Sequence, residues 1–181
     1  MRRFLDRLYL ASGALAAVFV AAICAIVLLQ VGLNAIDKTA VFFGSRPIGL
    51  VIPSYAEFAG LFLAAASFLA LAHALRHGAH IRVSLVIGRL GGSRKKAVEL
   101  WAVFVGGCLS AVFTVYMFNL VHDSFRFGDV SVGLVRYEIW IPQLALALGL
   151  LILTIAFVDE YLSILRGNDP SYASDEGMPP E

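Results

Sequence analysis

Residues 8–33 read LYLASGALAAVFVAAICAIVLLQVGL, with no charged side chain after Arg7. A bilayer core of about 30 Å is crossed by about 20 mainly apolar residues in helical form. This stretch exceeds that length, so it predicts a membrane span. A cleavable signal peptide has an apolar region of only about 7–15 residues. Although Arg2 and Arg3 suggest such a leader, this run is far longer, with no clear small-x-small cleavage site before Gln30, and it reads as a retained anchor.

Three further runs meet the same criterion, at 55–75, 97–120 and 139–158. Pro142 falls in the first turn of the last, where a missing N–H costs least. The whole chain agrees with this reading. Of its 181 residues 60% are hydrophobic, and the mean hydropathy is +0.83. Soluble domains average about 45–50% apolar residues, so a water-facing surface has no room for this composition. The expected fold is an all-α membrane protein of four transmembrane helices, in one domain over residues 1–166. An acidic, Pro-containing tail at 167–181 is expected to be disordered and cytoplasmic.

Orientation follows from Lys and Arg in short loops. Ten lie before the first span, between the second and third, or after the fourth, and four lie in the other two loops. That asymmetry predicts a bacterial inner-membrane protein with both termini in the cytoplasm. Tyr55, Tyr137 and Trp140 then fall at the outer headgroups, and Tyr9, Trp101 and Tyr161 at the inner ones, where amphipathic rings are favoured.

The connecting segments differ in character. Between the first two spans, residues 37–54 are too apolar for an ordinary loop, yet Gly44, Pro47, Gly49 and Pro53 forbid one continuous helix. This segment is expected at the outer interface or against a partner. The inner loop contains HIRVSLVIGRL at 80–90, and on a helix Arg82, Arg89 and Lys96 recur every seven residues. A basic amphipathic segment beside anionic lipid lies flat in the headgroups. A short surface helix is therefore expected here, with a cytoplasmic extension of the second helix as the alternative. Residues 121–138 form the second outer loop, long enough to offer a soluble partner a surface.

Candidate chemistry is sparse. Glu57 is an ionisable residue inside a span, which marks it as a functional candidate. At its depth it is expected to snorkel, or to pair with Arg46 or Arg136, and a structural pair or partner contact is favoured over proton carriage. His73, His77 and His80 follow helical spacing without a Cys or acid to complete a metal site. A haem between two helices is excluded because His73 and His122 belong to opposite ends of their spans. Cys24 and Cys108 sit singly in apolar runs and read as packing residues. No phosphate loop, GxSxG elbow or dinucleotide fingerprint occurs, so no enzymatic activity and no bound cofactor are expected. Recurrent small residues, Ala64 to Ser67, Gly106, Gly107 and Gly149, suit close helix packing.

Together these residues resemble a known family. An acid near the start of the second span (Glu57), a basic-x-Gly-x-His-Ile-x-Val turn (Arg76 to Val83) and a Trp-x-Pro-Gln start to the last span (Trp140 to Gln143), followed by Gly149, are similar to the small membrane subunit of tripartite ATP-independent periplasmic (TRAP) transporters. The resemblance covers roughly residues 55–158. One departure is Ser84, where the family often carries an acid. The resemblance implies an accessory scaffold subunit of a sodium-coupled importer of an organic acid, such as a C4-dicarboxylate. Its partners would be a large membrane subunit that carries the substrate and sodium sites, a periplasmic solute-binding protein, and membrane lipid, with no nucleic acid. The sodium gradient would serve the complex, not this chain alone. Glu57, His80, Arg82, Arg89, Trp140 and Gln143 are the candidate subunit or lipid contacts. The alternative is a stand-alone, proton-coupled transporter using Glu57.

Overall fold

The structure is a computed structural model that describes residues 2–44, 46, 49–76 and 92–166, with side chains from residue 4 and, after the gap, from residue 96. Four helices account for most of it: α1 (Arg2–Phe42), α2 (Tyr55–Arg76), α3 (Gly92–Phe127) and α4 (Trp140–Leu165). All four are long and apolar enough to cross a membrane. The four-span all-α fold expected from the sequence is therefore observed. The expected surface helix at 80–90 and the tail at 167–181 lie outside the described residues.

Two helices overrun their apolar cores. A rise of 1.5 Å per residue makes α1 about 61 Å long and α3 about 54 Å, against a hydrocarbon thickness of about 30 Å. The first span, expected at 33, continues through Asn34, Asp37 and Lys38 to Phe42. The third, expected at 120, continues to Phe127 and takes in His122, Asp123 and Arg126, which shortens the expected outer loop to 128–139. Nothing in these polar residues breaks a helix. Both helices stop at glycines in the left-handed region, Gly44 (φ +76°) and Gly128 (φ +66°). At the second, Asp129 N–H reaches back to the Ser124 carbonyl at 3.0 Å, the six-to-one bond of a glycine-terminated helix.

The segment after α1 turns back along it. Gly49 and Leu50 N–H groups both donate to the Asp37 carboxylate at 3.1 Å, and Ile52 N–H donates to Gln30 Oε1 at 2.8 Å. Thus residues 49–52 descend beside the last turns of α1 before α2 begins. The expected break is present at Gly44, Gly49 and Pro53, but only after helix has occupied 37–42.

The helices stand in a row. α1 packs on α2, α2 on α4 and α4 on α3, while α1 touches α4 lightly. Small residues line the seams: Ala16, Ala65, Ala66, Ala72, Ala147 and Ala156 are all buried. Large apolar residues such as Leu28, Tyr116 and Trp101 point outward. This inverts the pattern of a soluble core. Lipid is as apolar as leucine, so helix association in a bilayer depends on close backbone approach and hydrogen bonds, not on hiding large side chains.

The closest approach is at Gly149. A Cβ there would lie 2.7 Å from the Phe68 carbonyl carbon and 2.9 Å from the Leu69 nitrogen. Hydroxyls add directional links. Ser12 donates to the Leu69 carbonyl across α1 and α2 at 2.5 Å. Between α3 and α4, Thr154 Oγ1 lies 3.1 Å from Thr114 Oγ1 and 3.2 Å from Ser110 Oγ. Each of the three also lies within reach of a carbonyl of its own helix. Such interhelical bonds contribute about 0.6 kcal/mol each in a bilayer.

Candidate functional site: two polar clusters at the ends of the bundle

The polar side chains gather at the two ends of α2. At its start, Ser54 has a φ of 56°, and its carbonyl accepts the N–H groups of Glu57 and Phe58 at 3.0 and 3.1 Å. This places Glu57 in the first turn, where a carboxylate is favoured by the helix dipole. Its half-buried side chain points toward the loop 128–139.

That loop is folded tightly by its own backbone. Val130 and Glu138 form an antiparallel bridge. Ser131 N–H donates to the Tyr137 carbonyl at 2.9 Å, and Ile139 N–H to the Asp129 carbonyl at 3.1 Å. The bridge turns Ser131 and Tyr137 toward α2. Ser131 Oγ–H donates to Glu57 Oε1, and Tyr137 Oη–H donates to the same oxygen at 2.8 Å. Burial, and behind it the Glu57 carboxylate, push the Tyr137 phenol above its ordinary range. The phenol therefore keeps its proton and remains a donor. Gly133 lies directly against the Glu57 carboxylate, leaving no room there for a Cβ. Val135 N–H donates to Ser54 Oγ at 3.4 Å, closing the ring.

Glu57 is thus a clasp between the start of α2 and the α3–α4 loop. Its partners are two hydroxyls, not the Arg46 or Arg136 guanidinium expected from the sequence. The reason is local: the backbone bridge sets Ser131 and Tyr137 above the carboxylate, and the Arg136 side chain between them in sequence is exposed. In place of the expected charge pair, a neutral pair of donors holds the carboxylate.

The opposite end of α2 carries a charged cluster that sequence reading did not single out. Arg76, the last residue of α2, holds Asp6 of α1 at 2.6 Å and Asp159 of α4 at 3.0 Å. Its guanidinium also sits 5.4 Å from the ring centroid of Tyr9, which is 2% exposed. One cation therefore ties three helices together. The available signal was depth: Arg76 ends its apolar run, as Asp159 and Asp6 bound theirs.

The remaining candidates divide. Trp140 Nε1–H donates to Glu138 at 2.6 Å, and its ring meets Phe125 edge-on at 5.6 Å, fastening the start of α4 to the end of α3. Gln143 presents a buried side-chain oxygen with no hydrogen-bond partner among the described residues. His80, Arg82 and Arg89 lie outside the described residues. His73 packs under Gly13 of α1. Among the described residues, no group of His, Cys, Asp and Glu could hold a metal ion.

Four membrane-crossing helices, joined through small residues and clasped at both ends by polar side chains, define a multi-pass membrane protein whose polar chemistry fastens helices together. Comparison with protein families matches residues 45–167 to the one described as Tripartite ATP-independent periplasmic transporters, DctQ component. The match covers well over half of the chain, and the chain belongs to this family of small TRAP transporter components. Comparisons with curated proteins and with solved structures returned no match.

Proposed function

We propose that this chain is the accessory scaffold subunit of a sodium-coupled TRAP importer of an organic acid, a C4-dicarboxylate or similar carboxylate. In this reading it lies in a bacterial inner membrane with both termini in the cytoplasm. It braces the large membrane subunit and helps seat the periplasmic binding protein, and the sodium gradient acts on the large subunit. The observation that carries the proposal is the use made of the polar groups. Glu57, Arg76, Ser12, Ser110 and Thr154 each join one helix or loop to another, as suits a brace. Membership of the family supports the same role.

The direct test is reconstitution in liposomes. Uptake of a labelled carboxylate should require this chain, the large subunit, the binding protein and a sodium gradient together. Transport by this chain alone would overturn the proposal and favour a stand-alone carrier.

Glu57 separates the same two readings. Glu57→Ala leaves Ser131 and Tyr137 without their acceptor and is expected to lower the melting midpoint of the protein. Glu57→Gln keeps an acceptor oxygen and should cost less. In the complete transporter, uptake should fall only in proportion to the amount of assembled complex. A Glu57→Gln protein that assembles normally yet transports nothing would identify Glu57 as a carrier of protons.

A further inference from the structure

The apolar end of α1 stands where lipid cannot cover it. Glu57 and Arg76 are 19 residues apart on α2, about 29 Å of helix, which matches a hydrocarbon core of about 30 Å. The bond from Ile52 N–H to Gln30 Oε1 sets Gln30 near the Glu57 boundary. From there α1 runs 12 residues further to Phe42, about 18 Å beyond that boundary. The headgroup layer is only about 5–8 Å thick on each side. Even a 40° tilt, the upper end of the usual range, leaves the tip about 14 Å out. A polar stripe of Gln30, Asn34, Asp37 and Lys38 marks the exit from the bilayer.

At this height the surface turns apolar again. Val41, Phe42 and Phe43 are 54%, 85% and 76% exposed, and the two phenylalanine rings meet edge-on. Contiguous apolar surface in water marks a protein interface. Lys38 and Arg46 are exposed beside it, two cations against the single carboxylate of Asp37, which the Gly49 and Leu50 N–H groups hold against the backbone. The rim therefore carries a net positive charge.

We propose that this tip is a permanent contact with an apolar, acid-rimmed surface that the large membrane subunit presents outside the bilayer. The inference rests on the reading of this chain as a subunit. A surface that opens and closes with a soluble partner stands in water between encounters, and such interfaces are no more apolar than ordinary protein surface. Obligate interfaces are more hydrophobic, as this tip is.

The test places the photoreactive residue p-benzoylphenylalanine at Phe42 in the chain co-expressed with its large subunit and purified in lipid nanodiscs. Cross-linking to the large subunit is expected. An intact complex cross-linked only to lipid, to the binding protein or to nothing overturns the inference and leaves the subunit reading standing, whereas failure to form any complex overturns both. The combined change Phe42→Ser with Phe43→Ser removes only exposed side chains, so the isolated chain should keep its melting midpoint. Recovery of complex should fall roughly tenfold, and unchanged recovery counts against the contact. Lys38→Glu with Arg46→Glu should also lower recovery, more so at low salt. Recovery indifferent to that reversal excludes the acidic rim.

Discussion

Gly149→Leu is expected to separate the two halves of the molecule and to be the most damaging single change in the spans. A Cβ at this position would meet the Phe68 carbonyl carbon at 2.7 Å and its oxygen at 2.8 Å. Both are backbone atoms, so no rotamer change relieves the clash, and α2 and α4 must move apart. That seam is the main join between the α1–α2 pair and the α3–α4 pair. Overpacking in a rigid core costs about 1–3 kcal/mol and occasionally more, and an isobutyl group against fixed backbone belongs at the upper end. Thermal unfolding in detergent should show a large drop in midpoint for Gly149→Leu and a smaller drop for Gly149→Ala. A leucine variant with the parent midpoint would disprove the close approach.

The second large effect is expected at Arg76. Arg76→Ala leaves the Asp6 and Asp159 carboxylates sharing one site without their cation and strips Tyr9 of its cationic neighbour. Losing one member of a buried ion pair costs about 3–5 kcal/mol. The side chains here are 19%, 47% and 31% exposed, so water screens part of the loss, and about 2 kcal/mol is expected. Arg76→Lys should recover only part of it, because one ammonium lacks the forked donors that engage two carboxylates at once. The addition of Asp159→Asn to Arg76→Ala should restore some stability by removing a stranded charge. If the double variant is no more stable than Arg76→Ala, the charge argument fails and the residue acts through packing alone.

These effects also show where sequence reading works and where it stops. The four spans are legible because the bilayer sets a length, and residues 8–33 satisfy it with no charge to interrupt them. The ends are not, because hydropathy falls at Asn34 and at His122 while the helices continue to the glycines that stop them. Glu57 stands out because an ionisable group in a span is costly. Its partners do not, since Ser131 and Tyr137 are 74 and 80 residues away and reach it through a loop bridge that hydropathy does not report. The Arg76 cluster depends on the register of three helices, so no single segment reveals it. Small residues announced close packing, but only the structure shows that Gly149, more than its neighbours, sets the α2–α4 distance.

A palisade differs from a barrel in having two broad walls and no lumen. With α1, α2, α4 and α3 standing in single file, the described helices form a flat row and not a ring around a channel. Such a fence is stiffest along its own plane, so a load applied along the file meets more resistance than one applied across it.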